Sequence, residues 1–289
     1  MTKKPPSSPW LTYVKERFSI PVHLILVSGL SATGVAASHE WKWPPFVIAF
    51  VCFMIFFFQL RLMDEFKDYD KDRTAHPKRP LPRGLLKPAA VRKVILGIQL
   101  LLFVLAGIQI AIPERQLGGL VFAGVVTYLW LMYKEFYVGH RLARYPFWYA
   151  VTHQLILFPM LAYPTALIQP DRFTHVETWL AGLVVFGAFF SYEICRKLNP
   201  KAHPILKTYL SLHGPIWVAP VVTAFSLLSI YGSVRLDLHF GIAANEALVA
   251  LTWGLLMVNA HLYKWVELAA TFNLVVQIWV VPIYLYLKV

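Results

Sequence analysis

The sequence is poor in cysteine, in acidic residues and in long polar stretches, and each shortage removes a class of protein. Its two cysteines in 289 residues, Cys52 and Cys195, lie far apart without metal-ligand spacing. They can build neither a disulfide framework nor a thiolate metal centre, and read as small core residues. Charged residues are 15% of the chain against 58% hydrophobic ones, with a mean hydropathy of +0.56, more apolar than a soluble interior needs. Asp and Glu number 15 against 27 Lys and Arg. The resulting +12 would suit nucleic acid only if it covered a surface; it is gathered in short islands between apolar runs instead. That is the pattern of polytopic membrane helices, with membrane lipid as the solvent partner and no nucleic acid. The opening MTKKPPSSPWLTYVKERF has no small-residue cleavage site of a secretory signal, and no transporter-like internal repeat is visible.

What is present is a succession of apolar windows. A bilayer-crossing helix needs about 20 predominantly apolar residues in a row, and nine windows qualify: 19–38, 44–63, 89–112, 116–133, 146–168, 176–194, 208–231, 244–262 and 268–287. With the N-terminus inside, only Lys42, Arg115, Arg172, Arg235 and Lys288 of the 27 Lys and Arg fall outside. Among those kept inside are Lys3, Lys4 and Lys207. The positive-inside rule therefore favours a cytoplasmic N-terminus and a C-terminus on the opposite side. The expected fold is all-α, one domain over residues 1–289, a polytopic membrane bundle of about nine transmembrane helices. Residues 1–18 read as a cytoplasmic tail and interfacial segment, and residues 64–88 as the loop that carries the chemistry.

That loop follows the second window and reads LMDEFKDYDKDRTAHPKRPLPRG. If the helix continues past the membrane surface, Asp64, Asp68 and Asp72 recur every four residues on one face, Glu65 adjoins them and Asp70 points nearly opposite. Carboxylates stacked in this way repel one another unless cations neutralise them. Two readings follow. One is a solvated helix whose acids pair with Lys67, Lys71 and Arg73. In the other, hard oxygen ligands hold magnesium together with substrate phosphate oxygens. Pro77, Pro80 and Pro82 break the helix and set Lys78, Arg79 and Arg83 in a fixed turn opposite the acids. Acids for a metal and guanidiniums for phosphate in one loop suit a diphosphate ester.

DExxDxxxD followed by RPLPRG resembles the first signature of the UbiA superfamily of intramembrane prenyltransferases, usually NDxxDxxxD with RPLPxG. Asp64 stands where that family has Asn and Glu65 where it has the first Asp; Asp68, Asp72, Arg79, Pro80, Leu81, Pro82 and Gly84 match. The resemblance implies a bundle around a central cavity, with a prenyl diphosphate bound through Mg2+ at the cytoplasmic end and its tail among the helices. A second aspartate motif, DxxxD after the sixth span, is also implied. Here Glu193 can serve as its first acid, but Lys197 occupies the second position, and a charged lysine cannot ligate magnesium.

The expected site is therefore Asp64, Asp68, Asp72 and Glu193 as catalytic residues, with Asp64, Glu65, Asp68, Asp72 and Glu193 as metal ligands. Arg79, Lys134, Arg196 and Lys197 are expected to bind the diphosphate. For Lys134, and for Arg196 with Lys197, anchoring at a helix end is an equal alternative. His153 reads as a hydrogen-bonded packing residue, while Asn259 and His261 could line the cavity. The expected reaction is magnesium-assisted ionisation of an allylic diphosphate and capture of the cation by an aromatic or lipid acceptor. The alternatives are a terpene cyclase of the same superfamily, which needs no acceptor, and a non-catalytic lipid carrier.

Overall fold

The computed structural model describes residues 8–206 and 208–287. Lys3, Lys4, Lys207 and Lys288, which entered the charge bias, lie outside the described residues, as does the first part of the expected tail. Among the described residues the chain is helical, without strands. A short helix α1 (Pro9–Arg17) meets α2 (Ile20–Ala36) at 63°, and α3 (Trp43–Lys67) and α4 (Tyr69–Ala75) follow. Next come α5 (Pro88–Ile110), α6 (Gln116–Tyr133), α7 (Gly139–Leu142), α8 (Pro146–Gln154) and α9 (Leu157–Ile168). The remainder is α10 (Val176–Cys195), α11 (Tyr209–His213), α12 (Pro215–Arg235), α13 (His239–Val258) and α14 (Tyr263–Leu287).

Eight of these helices or helix pairs are long and apolar enough to cross a bilayer, and nine if the bent pair α1 and α2 is one span. The chain is a multi-pass integral membrane protein. Proline marks many of the starts: Pro9, Pro21, Pro44, Pro88, Pro146 and Pro215 lie in the first two helical positions, where the missing N–H costs no hydrogen bond. The windows agree with the helices except late in the chain. The one expected at 208–231 begins with the separate α11, and α12 runs Pro215–Arg235, because Gly214 takes φ 72 and Pro215 restarts the helix. The one expected at 244–262 is α13, displaced toward the N-terminus, with a short 3-10 turn at Ala260–Leu262.

The long helices form a closed ring in which α3, α5, α6, α9, α10, α12, α13, α14 and α2 each pack on the next, and α2 returns to α3. One apolar core, containing Phe53, Phe122 and Tyr163, joins α3, α6 and α9; the Phe122 and Tyr163 rings stack at 4.8 Å. A second core, containing Phe186, Phe190 and Phe225, joins α10 and α12. Polar residues deep in the spans bond to one another. Asn245 donates to Ser229 Oγ at 3.0 Å, Asn273 to Asn245 Oδ1 at 3.1 Å, and Gln277 to Gly241 O at 2.7 Å, tying α12, α13 and α14 together. Cys52 and Cys195 are buried, free thiols, as their small apolar character suggests.

Candidate functional site

The acids of the loop do not all face one way. Helix α3 runs through Asp64 and Glu65 to Lys67, and the continuation breaks at Asp68 (φ −87°, ψ 5°) before α4 resumes. Backbone bonds still step through the acids, from Asp68 N to Asp64 O (2.9 Å) and from Asp72 N to Asp68 O (2.8 Å). The side chains nevertheless divide into two groups. This corrects the expectation of one uninterrupted helical face carrying Asp64, Asp68 and Asp72.

The first group is turned toward α1 and the proline loop. Glu65 is buried, and its Oε1 accepts from both Arg17 and Arg61, the latter at 2.6 Å. Asp72 is also buried and accepts from Arg79 Nη1 at 2.6 Å. A helix turns about 100° per residue, so Glu65 cannot share the direction of Asp64. The structure spends both carboxylates and Arg79 on internal ion pairs that fix the loop. Arg83 adds a two-pronged bond to Glu16 of α1, at 2.8 and 2.9 Å. Gly84, which ends the RPLPRG turn, has φ 79°, a value that explains glycine there.

The second group faces the bundle mouth. Asp64 is half-buried, makes no hydrogen bond or ion pair at contact distance among the described residues, and lies within electrostatic range of Lys67, Arg61, Asp68 and Arg196. Asp68 is half-exposed, with a loose contact to Lys71 at 3.7 Å. From the other side, Glu193 at the end of α10 is gripped by Arg196 Nε at 2.5 Å and by Lys197. The Glu193 carboxylate beside Arg196 raises that guanidinium's pKa and holds it charged. The two loops also touch, since α4 packs against Pro204–Leu206.

Lys67, Tyr149 and Tyr209, none of them among the expected site residues, join this group. Lys67 donates to the Tyr149 hydroxyl, and the Tyr149 ring stacks on His153 at 4.0 Å between centroids. His153 is tethered in turn through Nδ1 to Tyr149 O at 2.7 Å, so it packs as its hydrogen-bonding character suggests. Tyr209 of α11 lies under Lys197, 5.9 Å from ring centroid to ammonium, and its burial raises the phenol pKa. The only sequence signal for Lys67 was its place inside the acidic signature. Tyr149 and Tyr209 carry none, because their distance from the acids is set by tertiary packing.

Lys134, Asn259 and His261 stand apart from this group. Lys134 turns back over the rings of Trp130 and Tyr133, at 5.1 Å from each. That is the posture of a helix-end anchor. Asn259 and His261 do not line the interior. They form the exposed turn after α13, where Asn259 Oδ1 accepts from His261 N at 2.9 Å.

The fit to magnesium rests on the donor set. Among the described residues no three Asp, Glu, His or Cys side chains converge as a ready-made metal cage. Magnesium is commonly held by one or two carboxylates, with water and substrate phosphate oxygens completing its octahedron. Asp64 and Asp68, one turn apart and not locked in strong ion pairs among the described residues, fit that mode; Glu65 and Asp72 are held in ion pairs with arginines.

The UbiA prenyltransferase family model matches residues 24–281. No curated protein matches the chain by sequence. In three dimensions it is similar to a solved structure described for digeranylgeranylglyceryl phosphate synthase in membranes, at 13% identity and a TM-score of 0.66, covering 97% of this chain and 99% of that one. At this identity the likeness is one of fold.

Proposed function

The chain belongs to the UbiA prenyltransferase family, and from that premise we propose that it moves a polyprenyl group from its diphosphate to an aromatic or lipid acceptor inside the membrane. The observation that carries this reading is the division of charge at the bundle mouth. Asp64 and Asp68, without strong partners among the described residues, lie where apolar helices end; Asp64 is within electrostatic range of Arg196, which together with Lys197 grips Glu193. A substrate with a charged head and a hydrocarbon tail needs both environments at once.

In this reading Asp64 and Asp68 hold magnesium, and Arg196 and Lys197 receive the diphosphate oxygens. When bound, magnesium neutralises charge that develops on the leaving diphosphate. The side chains do the rest. Glu193 fixes the two cations before substrate arrives, so little reorganisation is needed as charge builds. Water would quench an allylic cation, so the reaction calls for a site screened by the apolar helices. Arg79, engaged with Asp72, shapes the loop instead of binding the diphosphate, and the same role falls to Glu65. The bias of basic residues toward these loops supports a mouth and N-terminus on the cytoplasmic side, with the C-terminus opposite.

The test is product analysis. Purified protein in lipid nanodiscs is supplied with Mg2+, prenyl diphosphates of several lengths and a panel of phenolic and glycerolipid acceptors, and products are read by mass spectrometry. A prenylated acceptor is the expected result, and Asp68→Ala should abolish Mg2+-dependent pyrophosphate release. Undiminished release by that variant would overturn the assignment. A cyclic hydrocarbon or alcohol formed without acceptor would point to the cyclase chemistry of the same superfamily.

A further inference from the structure

The mouth carries as many fixed cations as carboxylates. Asp64, Asp68 and Glu193 are its three carboxyl groups; Lys67, Arg196 and Lys197 are three cations, and Arg61, engaged with Glu65, also lies within electrostatic range of Asp64. Glu193 meets two cations with one carboxylate, which leaves an excess positive charge there. Arg196 and Lys197 are about 43% and 41% exposed while Glu193 is only 12% exposed, so the cations, not the acid, are presented to an incoming ligand. Lys67 spends its hydrogen bond on a neutral phenol, Tyr149, and so keeps its charge available. A mouth built only of acids could bind a polyanion only after several metal ions had reversed its sign. This one is near neutral before any metal arrives.

We propose that this site takes a diphosphate headgroup with a single divalent cation, carried by Asp64 and Asp68, while Lys67, Arg196 and Lys197 occupy the electrostatic role of a second. The proposal rests on the prenyl diphosphate reading and specifies its headgroup chemistry. Tyr149 and Glu193 are then positioning residues. The phenol, pinned by its stack on His153, holds the Lys67 ammonium near Asp64, and Glu193 holds the other pair across the mouth. Fixed donors of this kind bind phosphate oxygens through charge-assisted hydrogen bonds without needing a metal first.

The experiment uses inorganic pyrophosphate and the full chain in detergent. Isothermal titration with excess EDTA should show saturable pyrophosphate binding, and Mg2+ should tighten it. Lys197→Met and Lys67→Met should each weaken the EDTA affinity about tenfold, while Tyr149→Phe, which keeps the ring and loses the bond to Lys67, should weaken it by less. After rapid desalting from Mn2+ and pyrophosphate, elemental analysis should find one manganese per bound pyrophosphate. Two manganese per pyrophosphate, with no binding in EDTA, would overturn the single-cation site and leave the prenyl diphosphate reading standing. Absence of binding under both conditions would overturn both.

Discussion

Asp64 and Glu65 are neighbours in sequence and have opposite situations, one facing the mouth and the other paired with Arg17 and Arg61 in the interior. Their variants should separate accordingly. Asp64→Asn should cost most of the turnover and little stability, since no ion pair is broken. Glu65→Gln should do the reverse, lowering the unfolding temperature, because two guanidiniums would lose their shared carboxylate; breaking a buried charged pair costs about 3–5 kcal/mol at most. A thermal-shift assay run beside a pyrophosphate-release assay reads both. Equal loss of turnover with unchanged stability in the two variants would show that both acids work at the mouth. Glu65 Oε2, Arg61 Nε and Tyr13 OH are also buried without hydrogen-bond partners among the described residues, so this small region already carries a desolvation cost and should tolerate a further loss poorly.

Helices in this bundle are placed by breaks and by close approach. The break at Asp68 sends Asp72 to Arg79, and the 63° bend after α1 brings Glu16 and Arg17 onto the loop and α3. Helix α1 thus straps the signature from the side away from the mouth. Arg83→Gln, which removes an exposed two-pronged pair, should leave the unfolding temperature almost unchanged. Close approach is clearest between α10 and α12. A Cβ at Gly187 would meet Phe225 O and come 2.9 Å from Ser229 Cβ. Gly187→Val should push the two helices apart at a cost of about 1–3 kcal/mol and shift Glu193, on the same helix, relative to Asp64. The expected outcome is a lower unfolding temperature together with a raised Michaelis constant for the diphosphate; a variant matching the parent in both would show that α10 is not positioned by this contact.

At the scale of the whole molecule, the ring closed by α2 between α14 and α3 sets which loops meet. Loops joining alternate helices share an end of the bundle, so the acidic loop and the segment after α10 come together although more than a hundred residues separate them. Side-specific labelling tests the orientation. With Cys52 and Cys195 replaced by Ala, single cysteines at Lys71 and at Asp171, both exposed, should react with a membrane-impermeant maleimide from opposite sides of sealed vesicles. Labelling of both from one side would contradict the arrangement.

The sequence by itself determined the medium, the helical class, the number of spans to within one, and the place where charge meets apolar chain. These follow from composition and window length, because a bilayer leaves a backbone few ways to satisfy its hydrogen bonds. It also marked Asp64, Asp68, Glu193, Arg196 and Lys197 as residues of one region. Only the tertiary structure decided which acids face the mouth, since that depends on the turn of α3, the break at Asp68 and the arginines that α1 and the proline loop bring to Glu65 and Asp72. It alone brought Tyr149 to Lys67 and Tyr209 to Lys197, because such contacts arise from the order of helices around the ring, and local residue pattern does not encode that order.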